Sequence, residues 1–307
     1  MDSSSSPVVG PCPAQLLKPA LRALHDGLTK TERPALVQAL DNAGPDDFAG
    51  LIVARQHEEI LAACWVQPTA GNGATVWAPC GETQHAAEVL AGAASYVDQR
   101  GIGIAQALID VDDDATGAAL AAAGFPQLAE LAYLFAAAER RTSDAGASLT
   151  FHGSAGDDLP RLAALLAQTY DGSQDVPGLE NARSIDDALA GYRAQGTHIP
   201  EHWYLVQCKG VDAAALLLAA HPAVENWELV YIGVAAQFRG RGLGRRIVDF
   251  AVTATHAAGA ERLVLAVDAG NAPALAMYAN CGFIEWDRRC VYARLRGKRA
   301  SNHGHAS

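Results

Sequence analysis

Glu228-Leu-Val-Tyr-Ile-Gly-Val-Ala-Ala-Gln-Phe-Arg-Gly-Arg-Gly-Leu-Gly-Arg-Arg246 decides how the rest of the chain is read. Apolar and β-branched residues dominate its first seven positions, the composition of a buried strand. The stretch beyond it, Ile247-Val-Asp-Phe-Ala-Val-Thr-Ala-Thr-His-Ala-Ala258, is helical in pattern. Leu243, Ile247, Phe250, Ala251 and Ala254 recur on one face, and Gly259 supplies the stop. A glycine-rich turn between a strand and a helix N-terminus is an anion cradle. Glycines let backbone N–H groups approach phosphate oxygens, and the helix dipole favours negative charge. Arg239, Arg241, Arg245 and Arg246 add cationic partners. The spacing excludes a Walker loop, because no Lys-Ser/Thr follows the glycines. A dinucleotide fingerprint fits Gly240 and Gly242 but finds Arg245 at its third glycine, with Asp268 as a tempting ribose ligand.

A second motif narrows the choice: Asn271-Ala-Pro-Ala-Leu-Ala-Met-Tyr-Ala-Asn-Cys-Gly-Phe283. Together the two segments resemble the GNAT superfamily of N-acetyltransferases. Its core pattern [QR]xxGx[GA] appears as Gln237-x-x-Gly240-x-Gly242 and again as Arg239-x-x-Gly242-x-Gly244. Its NxxAxxxYxxxGF pattern appears from Asn271 through Ala274 and Tyr278 to Gly282-Phe283. The two motifs in this order are specific, and the resemblance covers roughly residues 225–295.

The resemblance implies acetyl-CoA as co-substrate, an amine acceptor and no metal. The pantetheine arm is expected in a gap between strands 228–234 and 263–267, paired with main-chain groups of Ile232, Gly233 and Val234. A backbone N–H near Val234 is the expected oxyanion donor. The loop of Arg239, Gly240, Arg241, Gly242, Leu243, Gly244 and Arg245 would hold the pyrophosphate, with Asn271 and Ala274 along the cofactor arm. Tyr278 would protonate the departing thiolate, and Glu228 is a possible base toward the acceptor ammonium. Glu228 is equally readable as an exposed strand-end residue. Acceptor contacts are expected from Tyr170, Asp171, Ser173 and Asp175, after the domain's first helix, and from His221 near a strand end. The acceptor implied is a primary amine of a small molecule or peptide, a cysteinyl amine among the candidates. A second reading stays open, a GNAT-fold ligand-sensing or acyl-CoA-binding module without turnover.

Working outward, strand and helix patterns in the first half recur in the second. At an offset of 158 residues, Gly124-Phe125 falls on Gly282-Phe283, strand 104–109 on 262–267, and Leu131–Ala136 near Arg289–Arg294. A repeat this long indicates a duplicated domain. The expected fold is α/β (α+β), two tandem GNAT-like domains. Each is a mixed, mostly antiparallel twisted sheet with helices on both faces. The expected boundaries are a disordered leader at 1–12, a degenerate domain at 13–138, a linker at 139–148, a catalytic domain at 149–296 and a disordered tail at 297–307. In the first copy the cradle becomes Pro79-Cys-Gly-Glu-Thr-Gln-His-Ala86, with one glycine and no arginine. Asp113 and Leu120 replace the asparagine and the tyrosine. That copy is read as having lost phosphate binding and catalysis.

Other candidates yield to simpler explanations. Asp110, Asp112, Asp113 and Asp114 lack the EF-hand pattern and read as helix caps. His198 and His202 have zinc-like spacing, but Pro200 between them opposes a helix. His303 and His305 fall in the expected tail. Six cysteines without a CxxC pair argue against a zinc site or disulfide framework and for a reducing, cytoplasmic setting. The net charge is −11, and residues 1–150 hold 18 of the 34 acidic but only 8 of the 23 basic residues. That balance is a poor surface for nucleic acid. No apolar run approaches the roughly 20 residues of a membrane helix. The expected state is a monomer or homodimer.

Overall fold

The computed structural model describes residues 6–141, 149–153, 158–175 and 182–296. Most of the expected linker (142–148), the tail with His303 and His305, and the first five residues of the leader lie outside the described residues. The chain divides into two compact units.

The first unit comprises residues 1–128, 181–183 and 290–307. Its elements are β1 (Val8–Pro11), α1 (Leu17–Gly27), α2 (Arg33–Asp41), β2 (Leu51–Gln56), β3 (Glu59–Thr69), β4 (Gly73–Trp77), α3 (Ala86–Arg100), β5 (Ile104–Asp110) and α4 (Asp114–Ala122). The second unit comprises 129–180 and 184–289. It holds β6 (Gln127–Ala137), β7 (Leu149–His152), α5 (Leu159–Tyr170), α6 (Ile185–Arg193), β8 (Thr197–Cys208), β9 (Val211–His221), β10 (Asn226–Val234), α7 (Leu243–Ala257), β11 (Arg262–Asp268) and α8 (Ala272–Asn280). The last strand, β12 (Ile284–Leu295), contributes Cys290 onward to the first unit.

Strand order is β1-β2-β3-β4-β5-β12 in the first unit and β7-β8-β9-β10-β11-β6 in the second. The two orders are the same, element for element. In each unit one neighbouring pair is parallel, β4 with β5 and β10 with β11, and the other registered pairs are antiparallel. The difference from the sequence reading lies in the sixth strand. β6, written in the first half of the chain, pairs with β11 from Arg262↔Ala137 to Asp268↔Leu131, and the first unit takes its sixth strand from the C-terminal end. The sequence boundary at 138 therefore does not separate the units.

The central strands are buried on both faces, which explains their near-continuous apolar runs. In the second unit Leu216 and Leu218 of β9 meet Leu243, Ile247 and Val248 of α7, while Ala215 and Leu217 meet Leu162, Leu165 and Leu166 of α5. In the first unit Cys64 and Val66 face Val89, Leu90 and Ala93 of α3. Ala63 and Trp65 face Ala20 and Leu24 of α1. One side chain in two going to each helical layer is the period of a strand.

One expectation fails locally. The leader expected over 1–12 is in part a strand: Val8 to Pro11 pair antiparallel with Arg55 to Ile52. The edge of β2 offers N–H and C=O groups to this strand, and the Cys12 N–H just beyond it donates to the Leu51 carbonyl at 2.8 Å. β8 is longer than its apolar run 203–207, because the register skips between His198 and Trp203 and so accommodates Pro200. His198 and His202 thus lie on a strand, their rings against Trp203 at 4.4 Å and Trp227 at 4.2 Å. No acidic, His or Cys cluster suited to a metal occurs among the described residues, and none of their helices is long and apolar enough to cross a membrane.

The exchanged strand has a consequence for fragments. Residues 149–296 alone lack Ala132, Leu134 and Ala136 from the α7-side core and leave the edge of β11 unpaired. That fragment is expected to aggregate or melt without cooperativity, whereas 127–296 retains a cooperative transition. Thermal unfolding followed by circular dichroism decides it, and equal cooperative melting of both fragments would contradict the strand assignment.

Candidate active site

The site begins where two strands part. β10 pairs with β11 only at Asn226↔Arg262, Trp227↔Leu263 and Glu228↔Val264. Beyond Glu228, Leu229–Val234 stays registered on β9 but not on β11, so a gap opens between the two parallel strands. A bulge at Val230 breaks the alternation of β10 within that gap. Trp227 and Leu229 enter the core beside α7 and α8, and Ile232 packs against it. Val230 and Tyr231 both turn to the α5–α6 layer. By alternation Glu228 faces that same α5–α6 layer.

Several polar groups converge on this face. His221 Nε2 lies 2.8 Å from Glu228 Oε2, joining the end of β9 to β10. The Tyr231 hydroxyl is 2.6 Å from Thr169 Oγ1 at the end of α5. A Cβ on Gly233 would come within 2.4 Å of the Tyr231 hydroxyl and 2.7 Å of Thr169 Cβ, so Gly233 is required by that contact. Tyr170 and Tyr192 join through their hydroxyls at 2.8 Å, and both rings pack on Tyr231. Burial pushes the Tyr231 hydroxyl well above the usual phenol range. Of the expected acceptor contacts, Tyr170 and His221 belong to this face. Asp171 stands exposed as the C-cap of α5, and Ser173 Oγ accepts from the Asp175 N–H at 3.2 Å. Asp175 reaches the end of β11, where Oδ1 accepts from the Asp268 N–H at 3.2 Å. Burial of that carboxyl group, in a residue otherwise exposed, raises its pKa. Thr169, Tyr192 and Tyr231 escaped the sequence reading. Only the bulge brings Tyr231 to this face, and nothing in the residue types marks it.

On the opposite face Tyr278 is buried among the α7–α8 core, its ring 5.4 Å from that of Phe283. Burial first, then the negative field of Asp175, raises its hydroxyl pKa well above the ordinary value. Asp175 belongs to the loop after α5, which thus reaches the end of β11 where the strands diverge.

The cradle stands at the start of α7. Gly242 is the N-cap in the left-handed region, at φ 71°, with no side-chain cap, whereas Asn271, Asp158 and Ser184 cap α8, α5 and α6. Gly240 is also left-handed, at φ 73°, and a Cβ at either glycine would meet nothing within 4 Å. The start of the helix thus has no side-chain cap and open space beside its glycines, the arrangement an anion needs. Arg241 lies exposed with its guanidinium 5.5 Å from the Phe238 ring centroid, and Arg245 is exposed with Asp249 at 3.9 Å. In three expected cradle members the side chain, or the lack of one, serves the scaffold. Arg239 donates to the carbonyls of Val234, Gly172 and Thr169 at 3.0, 3.0 and 2.8 Å, tying the end of α5 to β10. Leu243 is core. Gly244 lets α8 approach, since a Cβ there would lie 2.8 Å from Met277 Sδ. Asn271 Oδ1 accepts from the Ala274 N–H at 3.2 Å, and Asp268 Oδ1 accepts from Gly270 at 2.8 Å. Asp268 is thereby a turn residue rather than a ribose ligand.

The first unit repeats the backbone without the chemistry. β4 and β5 also part, after Thr75↔Gln106, but β4 has no bulge against β3. The N-cap of α3 is again left-handed, at φ 62°, yet the residue is His85, paired with Glu88 at 3.1 Å. The Gly81 N–H is taken by Thr116 Oγ1 at 2.7 Å, and Asp113 caps α4 as the sequence indicated. Leu120 is buried at the tyrosine position.

Comparison with known proteins agrees with this geometry. Residues 179–283 match the Acetyltransferase (GNAT) family. The chain is 28% identical to a mycothiol acetyltransferase of Corynebacterium aurimucosum over 64% of this chain and 74% of that protein. It is 37% identical to a mycothiol acetyltransferase of Corynebacterium glutamicum over 23% of this chain and 24% of that protein. The aligned region thus spans about a quarter of the latter relative. Among solved structures, a GCN5-related N-acetyltransferase from Sphaerobacter thermophilus superposes with a TM-score of 0.63 at 11% identity, covering 95% of this chain and 96% of that one. A tandem GNAT protein from the clavulanic acid biosynthesis pathway superposes at 0.53 and 15% identity, covering 96% and 100%. These two establish the fold.

The arginines separate by role. Arg239→Met removes a charged donor from three carbonyls and is expected to cost about 1–3 kcal/mol of stability. Arg241→Met, at an exposed guanidinium, is expected to stay within about 0.5 kcal/mol of wild type. Urea unfolding of the two variants tests this, and equal stabilities would contradict the distinction.

Proposed function

We propose that this GNAT-type chain transfers an acetyl group from acetyl-CoA to a primary amine of a small molecule or peptide, by direct attack, in its second unit. The observation that carries the reading is the gap between β10 and β11 beyond Glu228, with the uncapped start of α7 after β10 and Glu228 and Tyr278 on opposite faces.

In this reading the N–H groups from Gly240 to Arg245, with Arg241 and Arg245, hold the pyrophosphate. The backbone of Leu229–Val234 lines the pantetheine arm as a neighbouring strand would. The acceptor enters from the α5–α6 face, between Tyr231, Tyr170 and Glu228. Glu228 accepts a proton from the acceptor ammonium, freeing the nitrogen lone pair to attack the thioester carbon. A main-chain N–H near Val234 stabilises the oxygen as negative charge develops on it. As the carbon–sulfur bond breaks, the sulfur takes the Tyr278 proton. The nitrogen's second proton returns through solvent to the tyrosinate and Glu228 gives its proton to solvent, leaving amide and free thiol. Burial keeps the Tyr278 hydroxyl protonated, so a proton is in place for the sulfur. The first unit offers no second binding site in this account, because Thr116 takes the Gly81 N–H and the N-cap of α3 is His85, paired with Glu88.

The test is acceptor-dependent thiol release from acetyl-CoA over a panel of primary amines, cysteinyl compounds included, with coenzyme titrated by calorimetry. Turnover with one coenzyme per chain is expected, and Tyr278→Phe should lower kcat by roughly 10²–10⁴ while leaving coenzyme affinity near wild type. Coenzyme binding without acceptor-dependent release would leave a ligand-sensing module as the better account. Two coenzymes per chain would contradict the assignment of the first unit.

A further inference from the structure

We propose that His221 is the positioning residue of the acceptor site: its imidazole fixes the Glu228 carboxylate so that one oxygen is held and the other faces the incoming ammonium. The proposal rests on the acyltransfer reading above and adds to it a residue that does not touch the reacting atoms.

His221 is the last residue of β9, in register with Asn226, and Glu228 lies two residues further along β10, opposite Ala219. The diagonal brings Nε2 within 2.8 Å of Oε2. A carboxylate can only accept, so the proton of this bond belongs to Nε2, and a neutral ring leaves Nδ1 without one. Oε2 is thereby committed, and Oε1 makes no hydrogen bond among the described residues. Glu228 is half-buried, with 27% of its side chain exposed.

The imidazole has a built seat. Gly196, at φ 55° between α6 and β8, lies directly against the ring. A Cβ there would sit 2.8 Å from Cε1, 2.9 Å from Nε2 and 2.8 Å from the Ala220 carbonyl. Only glycine satisfies both the backbone conformation and the contact. The seat brings no charge, and Glu228 is the charged group that acts on the ring. The carboxylate hydrogen bond raises the His221 pKa above its ordinary value. Once the ring is protonated, the Glu228 carboxylate is held by a full cation rather than by a neutral donor. Turnover should therefore fall as pH drops through the raised His221 pKa, on the acid side of a plateau. By the same sign, the stability contributed by the pair is complete below the ordinary histidine range and is lost as pH rises through the raised value.

The experiment has two arms on the full chain. In the first, the His221 ring is titrated by NMR in wild type and in Glu228→Gln. Its pKa should fall in the variant, and an unchanged titration overturns the pair whether or not the chain turns over. In the second, kcat/KM for the acceptor is measured across pH for wild type, His221→Ala and His221→Gln. His221→Ala should lose roughly ten- to a hundredfold, with KM for acetyl-CoA unchanged. His221→Gln, whose amide can donate as Nε2 does but cannot ionise, should recover to within about threefold of the wild-type plateau and shift the acid limb to lower pH. Full activity in His221→Ala overturns the role. So does a His221→Gln enzyme that stays impaired while keeping the wild-type limb, because the ring would then serve something other than Glu228. A wild-type chain without acceptor-dependent turnover defeats the acyltransfer reading itself, a result distinct from the NMR outcome.

Discussion

The proposed site depends throughout on two parallel strands that stop pairing. A sheet normally separates the helical layers on its two faces, and a side chain on one face cannot reach one on the other. β10 and β11 keep their ladder only through Glu228 and Val264, then diverge. The opening joins the layer of α5 and α6, where Glu228, Tyr231 and Tyr170 gather, to the layer of α7 and α8, where Tyr278 is buried. It also leaves one edge of β10 unpaired over Leu229–Val234 while β9 holds the other. A backbone edge of that kind costs stability unless something pairs with it. A ligand that carries amides along its length suits it.

The same constraint explains why so many residues near the gap serve the scaffold. Holding two strands apart requires a bracing contact from outside the sheet. Arg239 supplies one by joining the carbonyls at the end of α5 to that of Val234. Gly233 and Gly244 supply others by letting Thr169 and Met277 approach closely. A motif residue can therefore be essential without touching a ligand. Within the cradle the open groups are the left-handed Gly240 and Gly242 and the exposed Arg241 and Arg245. The first unit shows the contrast. It keeps the parallel pair and the left-handed N-cap, but His85, Glu88, Asp113 and Thr116 satisfy its polar groups internally.

Much of this was legible in the residues. The apolar run at 228–234, the glycines that follow and the spacing from Asn271 to Phe283 located the strand, the cradle and the buried tyrosine. The 158-residue offset anticipated two units of one topology. What escaped has physical causes. One extra residue at Val230 exchanges the faces of β10, so plain alternation places Ile232 beside Glu228 when Tyr231 belongs there. The sixth strands of the two repeats are equivalent in pattern, and no local preference tells Leu131–Ala136 which sheet to complete. His221 is one histidine among ten until the β9–β10 register sets it diagonal to Glu228. These are properties of pairing, and they appear only once strands have partners.

The central claim is that one gap, in one unit, takes the coenzyme. Hydrogen–deuterium exchange of the full chain with and without acetyl-CoA addresses it most directly, because the claim concerns backbone N–H groups. The account expects new protection at Leu229–Val234 and at Gly240–Arg245, with exchange at Gly81–Glu88 unchanged. Protection at Gly81–Glu88, or none at Gly240–Arg245 under saturating coenzyme, would contradict it.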